Sequence, residues 1–152
     1  MDNGDNQSHN GYGLCRNEII RGNNAYKKVL ENSVLISTDL LKAFLNLQSS
    51  KSDPINFTIS PPDTFKVKVG FIIAKKKIRK AYLRNRIKRL LRETYRLNKK
   101  LFSKLPPGIS LILSLTEKGY LHFSVNPKSK LNIIQKEMQD LQKKILRKFN
   151  HQ

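Results

Sequence analysis

The sequence predicts an α/β domain in which helices pack on a small sheet, and three observations lead there. FKVKVGFIIA at 65–74 begins with strict alternation and ends in a β-branched run, the pattern of a strand buried on at least one face. ISLILSL at 109–115 is a second short apolar run and a second buried-strand candidate. Two long segments, 79–102 and 128–149, repeat apolar residues at helical spacing without internal Gly or Pro. Strands and amphipathic helices in succession give a layered sandwich with one core. A length of 152 residues with 38% hydrophobic content fits one such core and leaves no room for a second large domain.

Taken in order, residues 1–13, MDNGDNQSHNGYG, are polar and lack apolar periodicity, so they read as a disordered tail, with 14–152 as the domain. AYKKVLEN places Tyr26, Val29 and Leu30 at helical spacing and predicts a short first helix after the turn-prone GNN. VLISTDLLKAFLNL at 34–47 is helix or strands by pattern alone. Residues 48–63 carry three Pro among Ser and Asp, which predicts a loop with a short extended piece at INFTI. After the strand at 65–74, a long helix is expected from about Arg79 to about Phe102. Its apolar stripe would be Leu83, Ile87, Leu90, Thr94, Leu97 and Leu101, and its opposite face Asn85, Lys88, Arg89, Arg92, Arg96 and Lys99. PPG at 106–108 stops that helix. Following the strand at 109–115, Lys118 and Gly119 predict a turn and YLHFSV at 120–125 an extension of the sheet. The last segment aligns Leu131, Ile134, Met138, Leu141, Ile145 and Phe149 on a closing amphipathic helix. No internal repeat is visible.

Charge narrows the function. The formal net charge is +19, and self-repulsion of that size is best tolerated against a polyanion. Nucleic acid leads. A membrane is the competing polyanion, but no segment approaches the roughly 20 apolar residues of a spanning helix, and the N-terminus lacks an apolar signal core. A soluble, cytoplasmic protein is expected. The single cysteine, Cys15, makes no internal disulfide, and with only His9, His122 and His151 beside it no metal-ligand cluster can be drawn. His122 reads as a half-exposed strand histidine.

Catalytic groups of the chain's own are scarce. The acidic residues are scattered, no paired-carboxylate pattern suggests direct metal-assisted hydrolysis, and neither GxGxxG nor GxxxxGK[ST] occurs. The basic segment is more informative. Lys75–Lys100 holds thirteen Lys and Arg against Glu93 alone, a local +12 of the total +19. Like charges four apart, such as Arg84 with Lys88 and Lys88 with Arg92, each cost about a few tenths of a kcal/mol unless an anion screens them. Arg dominates there, and its planar fork suits bidentate phosphate contacts. A basic-zipper reading is poor, since the stripe ends at PPG after about three heptads without an e/g charge pattern.

The order of residues within this segment resembles a known family. GFIIAKKKIRKAYLRNRIKRLLRE is similar to the signature of the bacterial ribonuclease P protein subunit, matched at Gly70, Lys75, Lys76, Ala81, Arg84, Asn85, Arg86, Lys88, Arg89, Arg92 and Glu93. The resemblance implies the order α-β-β-β-α-β-α, with residues 34–47 as strands and a left-handed crossover between the parallel strands flanking the basic helix, against the usual preference. It implies the accessory subunit of a ribonucleoprotein that removes the 5′ leader of precursor tRNA, with Mg²⁺-dependent hydrolysis performed by the RNA subunit and Mg²⁺ held mainly there. The implied partners are that catalytic RNA and precursor tRNA, with neither DNA nor a membrane. RNA binding would fall to Lys75, Lys76, Arg79, Arg84, Asn85, Arg86, Lys88, Arg89 and Arg92, with no catalytic residue in the protein. The leader would lie in a cleft at Tyr26, Leu30 and Phe44, where Leu30 stands in place of a family aromatic. For those three a plain core role is the competing reading. A structural RNA-binding protein, such as a ribosomal one, is the alternative function.

Overall fold

The computed structural model describes residues 14, 16–47, 67–102, 104–105 and 108–150. The expected polar tail, Cys15 and the INFTI piece lie outside them. A 3-10 turn at Arg16–Glu18 precedes α1 (Asn23–Glu31), β1 (Val34–Ser37), β2 (Leu41–Leu47), β3 (Val67–Phe71), α2 (Ala81–Leu97), α3 (Lys99–Phe102), β4 (Ile109–Leu115), α4 (Glu117–Val125) and α5 (Leu131–Asn150). The ambiguous segment 34–47 is a β-hairpin, Val34 opposite Leu45 and Ser37 opposite Lys42. The sheet order is β1-β2-β4-β3. β2 runs antiparallel to β4, and β3 runs parallel to it in the register Val67–Ile109 to Phe71–Leu113. The parallel pair is joined through α2 and α3, and this is the crossover to which the implied handedness applies.

Alternation divides the sheet into two faces. Leu41, Ala43 and Leu45 of β2, Leu111, Leu113 and Leu115 of β4, and Val67, Val69 and Phe71 of β3 point to one side. There they build the main core with Leu83, Ile87 and Leu91 of α2 and with Ile134, Met138, Leu141 and Ile145 of α5. On the other side a smaller cluster joins Ile112 to Ile20 and Val29, with Ala25, Tyr26, Phe44 and Ile72 packed against it. β4, buried along its whole length, serves both.

Three expectations require correction. YLHFSV does not extend the sheet. Thr116 caps a helix there, its Oγ1 accepting the Gly119 N–H at 3.1 Å, and the spacing of buried Tyr120 and Phe123 is helical. The alternation in those six residues imitates a strand, but the cap three residues upstream of Gly119 outweighs it. His122 accordingly sits on α4, half-buried, with a ring nitrogen 2.9 Å from Ser129 Oγ.

The long basic helix also stops early, at Leu97. Buried Asn98 donates its side-chain amide to the Thr94 carbonyl at 2.7 Å, and its own carbonyl accepts from Gln142 Nε2 of α5 at 2.8 Å, so the chain restarts as α3 in a new phase. Finally, the buried arc of α2 is Leu83, Ile87, Leu91, Thr94 and Tyr95, while Leu97 and Leu101 are 46% and 39% exposed. A strict 3-4 spacing drifts around a 3.6-residue helix. The arc is drawn instead toward Tyr95, whose ring stacks on Phe102 at 4.8 Å and meets Phe71 edge-on at 6.3 Å. Burial holds that phenol neutral, its pKa pushed well above the usual value, with the Glu18 carboxylate adding to the shift.

Candidate RNA-binding surface

With one arc of α2 committed to the core, its charges have only the outward side. The segment joining β3 to α2 is held at both ends. Tyr120 Oη accepts the Ala74 N–H at 3.0 Å, the N–H groups of Lys77 and Ile78 both bond the Ala74 carbonyl at 3.1 Å, and Ile78 is buried. Lys77 is drawn aside to Glu117 at 2.8 Å. Lys75, Lys76, Arg79 and Lys80 are left exposed on this braced turn. The first turn of α2 contains no acidic residue and no side-chain cap, so the positive end of the helix dipole adds to their field.

Along α2 the matched residues divide by environment. Asn85, Arg89 and Arg92 are exposed, and Arg92 lies over the Phe71 ring at 5.9 Å. Arg84 turns back: its Nη1 donates to the carbonyls of Ile78 at 2.9 Å and Arg79 at 2.7 Å, clamping the lysine-bearing turn to the helix. Arg86 reaches the α4–α5 connection, donating from Nε to the Pro127 carbonyl at 3.1 Å and from Nη2 to the Ser129 carbonyl at 3.2 Å. The sequence gives no sign of these two fastenings, because their acceptors are backbone carbonyls and, for Arg86, lie 41 and 43 residues away. Glu93, the lone acid of the segment, is occupied by Arg96, which donates from Nε at 3.0 Å and holds the carboxyl below its ordinary pKa. Lys99 pairs with the buried Glu18 at 2.6 Å, so it belongs to the packing of the N-terminal turn.

Beside this face lies a groove of about 640 Å³, lined by Asn23, Tyr26, Lys27, Leu30 and Glu31 of α1, by Phe71, Ile72 and Ile73, and by Lys88 of α2. Tyr26 and Leu30 are thus brought together. Phe44 is outside the lining: β4 separates β2 from β3, and the Phe44 ring is half-buried against the Ile112 cluster with Lys42 Nζ 5.5 Å from its centroid. Lys27 and Lys88 are the cationic lining that sequence reading did not assign to the groove. The adjacency of Lys27 to Tyr26 was the available signal.

The groove depends on Gly70. Tyr26 Oη accepts the Phe71 N–H at 3.3 Å, and a Cβ on Gly70 would meet the Tyr26 ring at 2.7 Å. The ring therefore lies directly on the strand backbone. Since a tyrosine end can swing away where backbone cannot, Gly70→Ala is expected to cost stability only moderately, about 1 to 2 kcal/mol, while expelling the ring. Loss of protection of the Phe71 amide in hydrogen exchange, with the α2 amides unchanged, is the expected signature; unchanged Phe71 protection would contradict it.

Among the described residues no three His, Cys, Asp or Glu side chains are grouped to hold a metal ion, and no helix is long and apolar enough to cross a membrane.

Comparison with known proteins bears on the whole arrangement. A family model described as Ribonuclease P matches residues 14–146. The chain is 41% identical over 70 residues to the ribonuclease P protein component of Photorhabdus laumondii, covering 46% of this chain and 56% of that one. It is 37% identical over 91 residues to that of Chlorobaculum tepidum, covering 60% and 54%. The chain spans between just over a quarter and just over half the length of these curated relatives. Among solved structures, the ribonuclease P protein of Staphylococcus aureus superposes with a TM-score of 0.56 at 16% identity, over 83% of this chain and 93% of that one, which is a likeness of fold. With a family model covering nearly all of the described residues and the motif displayed on α2, the chain belongs to the ribonuclease P protein family.

Proposed function

We propose that this chain is the protein component of a ribonuclease P, acting in the cytoplasm with a catalytic RNA to remove the 5′ leader of precursor tRNA. The observation that carries the reading is the outward face of the Lys75–Arg92 segment, where Lys75, Lys76, Arg79, Asn85, Arg89 and Arg92 stand exposed beside a rigid core. On this reading those residues bind phosphates of the catalytic RNA. Arg84 and Arg86 hold the turn and helix in position, with their remaining N–H groups directed to the same partner. The α1–β3 groove takes the single-stranded leader, with Tyr26 supplying the ring face and Lys27 and Lys88 the backbone contacts.

The protein's part in the reaction is electrostatic and positional. Bringing cations to a folded RNA screens phosphate repulsion that divalent ions must otherwise screen, and seating the leader fixes the scissile bond relative to the RNA. The scattered acids of the described residues do not fit a resident Mg²⁺, so the ion is assigned to the RNA and no step is routed through this chain.

Reconstitution tests the reading. Added to its cognate catalytic RNA at low Mg²⁺, the protein is expected to stimulate leader removal from precursor tRNA. Tight RNA binding without stimulation would leave a structural RNA-binding role, of the ribosomal kind, as the better account.

A further inference from the structure

Tyr82 has no part in the surface described so far. It lies on α2 three, four and seven residues before Asn85, Arg86 and Arg89, and so on their face of the helix. Tyr82 is 65% exposed, the most exposed aromatic among the large hydrophobics of the described residues. It does not belong to either core cluster. Its recorded neighbour is a cation, Lys80 Nζ, 6.0 Å from the ring centroid. From Lys75 to Arg89 the chain has nine Lys and Arg and no acid, so a large π-face is presented in the middle of an unbroken positive field.

A protein partner complementary to that field would have to bury Tyr82 against apolar surface while supplying acids around it. An unpaired nucleotide offers both properties in one group, a flat base for the ring and a phosphate for each flanking cation. Double-stranded RNA does not, because its bases are stacked on one another and hidden from an inserted ring. We propose that Tyr82 is a stacking platform for an unpaired base of the RNA bound by α2, so that this face reads a bulge, loop or end in addition to backbone charge. The proposal rests on the RNA-binding reading above and goes further by naming the nucleotide conformation recognised.

Three substitutions separate stacking from bulk. Affinity for the catalytic RNA is expected to fall about 5- to 100-fold in Tyr82→Ala. Tyr82→Leu, which keeps apolar volume without a ring, is expected to fall equally, and Tyr82→Phe to restore binding. The salt dependence should be the same in all, since no phosphate contact is removed. The chain contains no Trp, so Tyr82→Trp provides a single reporter whose emission is expected to be quenched when the RNA binds. Wild-type affinity in Tyr82→Ala, full rescue by Tyr82→Leu, or unquenched indole emission from the RNA-bound Tyr82→Trp variant would each overturn the stacking role while leaving the RNA-binding reading intact. A wild-type chain that does not bind the RNA overturns both.

Discussion

A chain carrying Lys76→Ala, Arg79→Ala and Arg89→Ala together is expected to keep its fold and lose about one to two orders of magnitude in affinity for the catalytic RNA, with the slope of log affinity against log salt falling by about 2 to 3. The magnitude follows from counting. Each cation that neutralises a phosphate releases a counterion, and each contributes roughly 0.7 to 0.9 to the slope. The fold should survive because all three side chains are exposed; the Arg79 carbonyl that Arg84 uses remains in the alanine variant. Arg84→Ala and Arg86→Ala are unsuitable for this purpose, since each also removes two bonds to backbone carbonyls. The informative control is a triple on α5, Lys136→Ala, Lys143→Ala and Lys148→Ala, which changes net charge equally at another exposed face. If it lowers affinity and slope as much, net charge alone drives binding and α2 has no special role.

Gly119→Ala is expected to destabilise the domain by about 3 kcal/mol, lowering its melting temperature by about 6 to 12 °C. Helix propensity alone predicts the opposite sign, since alanine is favoured over glycine within a helix by about 1 kcal/mol. Space decides. A Cβ at this position would have the Leu40 carbonyl oxygen at 2.2 Å, with the Leu115 Cβ at 3.1 Å. That carbonyl cannot retreat cheaply, because it accepts the Thr116 N–H at 3.0 Å and the Leu40 N–H is itself held by Glu137 at 2.9 Å. Thermal or denaturant unfolding gives the answer directly, and a variant as stable as the parent would show that α4 does not sit this close to the β1–β2 turn.

Much of the fold was legible because burial repeats along the chain. β3 and β4 announced themselves by alternation and by an unbroken apolar run, and α5 by a stripe of which Ile134, Met138, Leu141 and Ile145 are fully buried. The hairpin at 34–47 was not legible from pattern, since β1 is mostly exposed and contributes little apolar periodicity. Resemblance of the motif supplied it. YLHFSV was misread because two features compete within six residues, and the decisive Thr116 hydroxyl lies outside them.

The surface followed the same division. Which residues of α2 carry charge was plain, but where each guanidinium goes was not: Arg84 folds back on carbonyls of the turn just before the helix, and Arg86 answers to carbonyls that only the tertiary fold brings near. Phe44 was placed by family position, yet it packs with Tyr26 against the Ile112 cluster and does not line the groove, an arrangement set by the strand order, which no local pattern encodes.

Lys88 belongs to two surfaces, projecting from the basic helix while lining the groove beside α1. Ile87 next to it is fully buried, so the helix cannot slide or roll without opening the core. On the proposed reading α2 is therefore a ruler. One end of the measured distance is the leader in the groove, the other is the catalytic RNA on the outer face, and the span between them is set by the thickness of a single helix that the interior does not allow to stretch.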